Sequence, residues 1–152
     1  MTAPSASAQI DINADPAKVY ALITNLESFS ALAEETQAMV WKKGTSAVPG
    51  SVFRGKNKNG WRSWSTNCTV TDADGTRFAF EVTSHPSIPV SRWQYDVVPT
   101  AGGCTVTEST WDMRPGWFKK PAEFATGVRN RVEANTAHME ATLARLKDRA
   151  EA

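Results

Sequence analysis

GSVFRGKNKNGWRSWSTNCTV, residues 50–70, is two strand-like runs on either side of Asn59-Gly60. Asn-Gly is the strongest short signal for a β-hairpin, because a type I′ turn requires positive φ at both central residues. Taken as a two-residue loop, the pair divides the hairpin by parity. Val52, Arg54, Lys56, Lys58, Trp61, Ser63, Ser65 and Asn67 fall on one face; Phe53, Gly55, Asn57, Arg62, Trp64, Thr66, Cys68 and Val70 fall on the other. The second set is the inner face, so Lys56 and Lys58 are expected to meet water. A four-residue loop would keep this parity, whereas a bulge would reverse one strand.

Working outward, the stretch from residue 37 to about 114 reads as further strands: AMVWKK before the hairpin, and RFAFEVTS, SRWQYDVV and CTVTESTWDM after it. The separators VPG, DADG, HPSIP and PTAGG are rich in turn-forming residues and short enough to imply antiparallel neighbours. Upstream, SAQIDIN alternates Ile10 and Ile12 against Gln9 and Asp11, as a half-buried strand does. DPAKVYALITNLE then offers Asp15 as N-cap, Pro16 at the first helical position, and Val19, Leu22, Ile23 and Leu26 at helical spacing. SFSALAEE can add a short helical turn. Downstream, residues 121–149 read as one long helix, with Pro121 near its start. Phe124, Val128, Val132, Asn135, Met139, Leu143 and Leu146 form its sheet-facing stripe. Residues 1–7 are small, polar and expected to be flexible, leaving one domain over residues 8–150.

A chain of 152 residues with a net charge of +1 fits one compact domain and not a surface that is a polyanion-binding field throughout. The basic character is local: between Glu35 and Asp72 lie Lys42, Lys43, Arg54, Lys56, Lys58 and Arg62 with no acid among them. Cys68 and Cys104 lack metal-ligand spacing, and MTAPSASAQ lacks the charged and apolar regions of a signal peptide. Free thiols in a reducing cytoplasm are therefore expected. No apolar run approaches the roughly 20 residues that cross a bilayer, so stable membrane insertion is not expected.

Parity also sends Phe78, Phe80 and Val82 inward, with Trp93, Tyr95 and Val97 on the next strand; Val106 brings Glu108, Thr110 and Asp112 with it. Glu108 is the informative one. A carboxylate in a dry core costs several kcal/mol unless paired or protonated, so its place implies an inner space that is polar in parts. With Arg62, Asn57 and Asn135 pointing the same way, the pattern indicates a cavity between sheet and helix. Its expected lining is Asn57, Arg62, Trp64, Phe80, Trp93, Tyr95, Glu108, Thr110, Asn135 and Met139, with Glu108 either paired to Arg62 or raised in pKa.

Strand, helix, helix, six strands and a terminal helix resembles the helix-grip fold of the START-like (SRPBCC) superfamily, which includes polyketide cyclase/dehydrase-like and Bet v 1-type proteins. The resemblance covers nearly the whole chain. It is carried by Ile10, Ile12, Ala14, Pro16 and Val19 in the opening strand and helix, and by Gly102, Gly103 and Val106 to Ser109 in the last strand. It implies an α+β domain whose curved antiparallel sheet of about seven strands grips a long C-terminal helix, after one or two short helices. It also implies a cavity for a lipid, polyketide or other hydrophobic molecule. If the chain is a cyclase-like enzyme, Glu108, Arg62 and Tyr95 are the candidate acid/base groups.

Three readings follow: a binder of a hydrophobic small molecule, a polyketide cyclase/aromatase-like enzyme, and an interaction module using the Lys-rich outer hairpin. No triad, metal or phosphate-loop signature is present, and His85 and His138 are isolated, so neither metal nor cofactor is expected. DNA is not an expected partner. The sequence specifies neither a monomer nor a homodimer, nor the ligand.

Overall fold

The computed structural model describes residues 2–33, 36–128 and 130–152. Seven strands and four helices run in the order β1 Ala6–Ile12, α1 Pro16–Thr24, α2 Leu26–Leu32, β2 Thr36–Lys43, β3 Val52–Asn59, β4 Arg62–Ala73, β5 Arg77–Ser84, β6 Ile88–Thr100, β7 Gly103–Asp112, α3 Gly116–Thr126 and α4 Arg131–Glu151. The strands form one antiparallel sheet in the order β1-β7-β6-β5-β4-β3-β2. First and last strands pair from Ala6 opposite Thr110 to Ile12 opposite Cys104, and every other strand pairs with its sequence neighbour. This is the helix-grip architecture expected from the element order, with one helix more.

The start of the helical layer follows local chemistry. Asp15 accepts a hydrogen bond from Ala17 N–H at 2.8 Å and Pro16 opens α1; Asn25 ends α1 and caps α2 by accepting from Ser28 N–H. Val19 and Ile23 of α1 and Leu26, Phe29 and Leu32 of α2 are buried. Phe29 meets Phe78, Phe80 and Tyr95 edge-on at centroid distances of 5.3 to 6.0 Å, which fixes α2 against the centre of the sheet.

Three boundaries differ from the sequence reading. β1 begins at Ala6, and Ser5 N–H already donates to Thr110 O, so the strand starts inside the stretch expected to be flexible. The hairpin turn is Gly60-Trp61, because Asn59 remains in the ladder opposite Arg62. Gly60 takes φ +63° while Trp61 does not share a positive φ, so the paired positive-φ turn predicted for Asn59-Gly60 does not form. The slip moves each pairing by two residues and leaves parity intact: Phe53 opposes Cys68, Gly55 opposes Thr66 and Asn57 opposes Trp64, while Lys56 and Lys58 are exposed.

The third difference is the helix expected over residues 121–149, which is two helices. Gly127, at φ +72° and ψ +14°, is the left-handed C-cap of α3, and Asn130 caps α4 by accepting from Glu133 N–H at 3.1 Å. Pro121 lies inside α3 instead of opening a helix. The expected stripe holds only from Asn135 onward: Asn135, Met139, Leu143 and Leu146 are buried, whereas Phe124 is 77% exposed in α3 and Val132, in the first turn of α4, is 46% exposed. The part of α4 from Leu143 to Ala150 completes the core with Ile12, Val19 and Ile23.

The break sets the sign of a substitution. In a continuous helix Gly127→Ala would stabilise the protein by about 1 kcal/mol. Here it forces an L side chain into a left-handed conformation, with its Cβ 2.9 Å from Arg62 Cδ. It is expected to destabilise by about 1–2 kcal/mol in urea unfolding. Stabilisation would contradict the two-helix arrangement.

Candidate ligand cavity

The inner face of the sheet is apolar apart from a few placed groups. β6 and β7 set Tyr95 directly opposite Glu108, Trp93 opposite Thr110 and Val97 opposite Val106. Tyr95 donates its hydroxyl to Glu108 Oε2 at 2.6 Å. Glu108 Oε1 is buried and has no hydrogen-bond partner among the described residues. Burial pushes the Glu108 carboxyl up to about 8, against a smaller opposing effect of the Tyr95 hydrogen bond. Burial, reinforced by the facing Glu108 charge, drives the Tyr95 phenol well above its ordinary value. At neutral pH the pair is therefore a carboxylic acid and a phenol. With Oε2 accepting from Tyr95, Oε1 is the oxygen whose proton is free to be donated.

A cavity of about 250 Å³ adjoins this pair. Phe53, Trp64, Phe80, Trp93 and Tyr95 wall it from the sheet, Phe29 and Ala33 from the side of α2, Phe118, Ala122, Ala125 and Thr126 from α3, and Asn135, His138 and Thr142 from α4. Ala125 is both exposed and part of the lining, so the cavity reaches solvent beside α3. Most polar groups near the walls are already engaged. Asn57 accepts from Thr36 Oγ1 and donates to Thr66 Oγ1, the Trp93 indole donates to Ser91 Oγ, and Asp112 binds Arg114 at 2.9 Å. Burial alone would raise Asp112, but the hydrogen bonds and charge of Arg114 outweigh it and hold the carboxyl below its ordinary value. Glu108 Oε1 is thus the one buried carboxyl oxygen without a partner among the described residues.

Of the ten residues expected to line the cavity, seven do: Asn57, Trp64, Phe80, Trp93, Tyr95, Glu108 and Asn135. Three do not. Arg62 is drawn to α3, where its Nε donates to Phe124 O at 3.0 Å and its guanidinium stacks 4.2 Å over Trp61; it does not pair with Glu108. Thr110 turns its hydroxyl to Arg92 O at 2.9 Å. Met139 is completely buried and is not part of the lining. The reading of the sequence missed the α3 wall, because it began the helix at 121, and it missed His138. Asn135, His138 and Thr142 lie at i, i+3 and i+7 on one face of α4, a spacing the sequence displays.

Cys68 and Cys104 are free and buried. Cys68 lines the cavity, and burial pushes its thiol up to about 12, which keeps it an unreactive small hydrophobe. Among the described residues no group of His, Cys, Asp and Glu is arranged to hold a metal ion, and no helix is long and apolar enough to cross a membrane.

The family described as polyketide cyclase / dehydrase and lipid transport matches residues 3–151. No curated protein matches the chain. Among solved structures, the KanY protein shares 22% identity with a TM-score of 0.70, with all of both chains covered. The polyketide-cyclase-like protein Cgl2372 of Corynebacterium glutamicum is also 22% identical, with a TM-score of 0.63 over 97% of this chain and 91% of that one. The di-domain ARO/CYC StfQ of the steffimycin biosynthetic pathway superposes with a TM-score of 0.72 at 14% identity over 95% of this chain, which spans 49% of StfQ. These likenesses establish the helix-grip fold.

The buried acid makes stability depend on pH in a defined direction. Glu108 is protonated up to about pH 8 in the folded protein and only to about 4.5 in the unfolded chain. Its contribution is present in full below pH 4.5 and lost as pH rises through 8. Relative to Glu108→Gln, the wild type is expected to lose stability at up to about 1.4 kcal/mol per pH unit across that window, then level off. A difference independent of pH, measured by urea unfolding of both proteins, would show that Glu108 is ionised in the fold.

Proposed function

We propose that this chain, which belongs to the polyketide cyclase / dehydrase and lipid transport family, binds a compact, largely aromatic hydrophobic molecule in the cavity and directs one of its oxygens at Glu108. The observation that carries this reading is the unpartnered Oε1 of Glu108 beside an aromatic-walled space. A buried donor or acceptor left unsatisfied costs about 1–3 kcal/mol, and a ligand carbonyl or hydroxyl that accepts the Glu108 proton removes that cost. The walls provide apolar and edge-on aromatic contact, so the polar group sets orientation and the rings supply affinity. At about 250 Å³ the cavity lies just under the roughly 300–1,000 Å³ range of drug-sized sites, which favours a compact ring system over a long acyl chain.

A second reading, a cyclase-like enzyme, is favoured by the same group. A carboxylic acid with a pKa of about 8 is close enough to neutrality both to give up a proton and to regain it. Glu108 would protonate a substrate oxygen as negative charge develops there during ring closure or loss of water, and Tyr95 would hold the resulting carboxylate through the same hydrogen bond. Arg62 has no part in this, since it is bonded to α3. StfQ is similar in fold alone, so the enzymatic reading rests on Glu108.

Binding of a naphthalene-based fluorescent probe separates the readings. Ala125→Trp, at an exposed position of the lining, is expected to weaken probe binding at least about tenfold without lowering the melting temperature. Asn135→Leu is expected to change affinity through the α4 wall. Glu108→Gln keeps a donor and an acceptor at the same place, so it should spare binding while removing turnover of a polyketide-like substrate. Wild-type affinity in Ala125→Trp would place the ligand elsewhere; wild-type turnover in Glu108→Gln would end the acid/base role.

A further inference from the structure

α3 is amphipathic the wrong way round. Its cavity side carries the small residues Ala122, Ala125 and Thr126 with Phe118, whereas Trp117, Lys120, Pro121 and Phe124 lie on the opposite face at i, i+3, i+4 and i+7. Trp117 is 68% and Phe124 77% exposed. The hairpin continues this surface: Trp61 at its tip is 78% exposed, and Arg62 joins the two parts by covering the Trp61 ring while bonding the carbonyl of Phe124. Asn59 Nδ2 adds a bond to Thr126 O, so helix and hairpin tip form one unit. Three large exposed aromatic side chains held together need a reason, because isolated exposed apolar residues are ordinary but a connected group marks a contact surface.

The charges around the group select what it contacts. Lys120 lies beside Trp117 on the same face of α3, and Lys56, Lys58 and Arg62 lie on the hairpin. Glu123 is the acidic residue of α3, and the hairpin has none. A second copy of the chain meeting itself at this face would oppose cation to cation. Exposed Trp and Phe interleaved with Lys suit a phospholipid surface with anionic headgroups, where rings settle at the headgroup boundary and lysines reach the phosphates. We propose that the outer face of α3 and the tip of the β3–β4 hairpin form a docking surface for an anionic membrane, with the helix lying in the plane of the interface. Because the other side of α3 lines the cavity, docking would bring the opening beside Ala125 to the bilayer. The proposal does not depend on which molecule the cavity holds.

The test is flotation of the full chain with phosphatidylcholine vesicles, with and without phosphatidylglycerol, at low and high salt. The wild type is expected to float with the phosphatidylglycerol vesicles, to stay largely free with phosphatidylcholine alone, and to be released by salt. Lys58→Glu with Lys120→Glu is expected to lower partitioning at least about twentyfold, at roughly fivefold for each lysine near the surface. Trp117→Ser with Phe124→Ser should lower it by a similar amount. All four side chains are exposed, so melting curves should match the wild type; if the aromatic pair fails to fold, the lysine pair decides. Equal binding by the lysine pair and the wild type overturns the proposal. So does failure of the wild type to float with either vesicle, which leaves the face to an acidic protein. Concentration-dependent dimerisation abolished by Trp117→Ser with Phe124→Ser assigns it to a second copy and overturns it as well.

Discussion

The hydrogen bond from Tyr95 to Glu108 is the interaction around which the inner face of this protein is organised. It lies between the neighbouring strands β6 and β7, where the adjacent inward pair, Val97 and Val106, is apolar and buried. A charged carboxylate there would lose most of its hydration in return for a single phenol donor, which is why the acid form prevails to about pH 8. The phenol is held in turn, because Phe29 of α2 packs edge-on against its ring at 5.3 Å. One oxygen of the acid is satisfied by the protein and the other is left to whatever enters the cavity.

The cavity itself follows from how α4 is divided along its length. From Leu143 onward its inward residues are aliphatic and close the core against β1 and α1. Before Leu143, the inward face presents Asn135, His138 and Thr142, which do not fill the concave side of the sheet. The break at Gly127 then lets α3 turn across that space as a separate wall, bonded to the hairpin by Asn59 and Arg62. A single straight helix over the same residues could not supply both walls.

Much of this was legible in the sequence because period-two parity survives errors of register. Phe53, Trp64, Phe80, Tyr95 and Glu108 face inward even though the hairpin turn is at Gly60-Trp61 and not at Asn59-Gly60. The turn was misplaced for a tertiary reason: the Asn59 side chain bonds to Thr126 O, which keeps Asn59 in the ladder. The same interactions explain why Arg62, correctly read as inward by parity, never reaches the cavity. The helix break was hidden by Phe124, Val128 and Val132, which continue the apolar period of α4 across it although Phe124 and Val132 are exposed. The local signals were nonetheless present, Gly127 as a C-cap and Asn130 three residues before Glu133. What no periodicity could show was which oxygen of Glu108 lacks a partner, since that depends on the Tyr95 rotamer and on the place of α3.

The central claim is that Glu108 is a neutral acid at physiological pH, and the titration of its own carboxyl carbon tests it most directly. With glutamate labelled at the side-chain carboxyl and the Glu108 resonance assigned by its loss in a substituted protein, the chemical shift can be followed by NMR from acid to alkaline pH. The account predicts a protonated carboxyl at pH 7 that titrates near 8, well above the ordinary carboxylate range. A Glu108 resonance already at its ionised position at pH 7, with a midpoint in the ordinary carboxylate range, would contradict it.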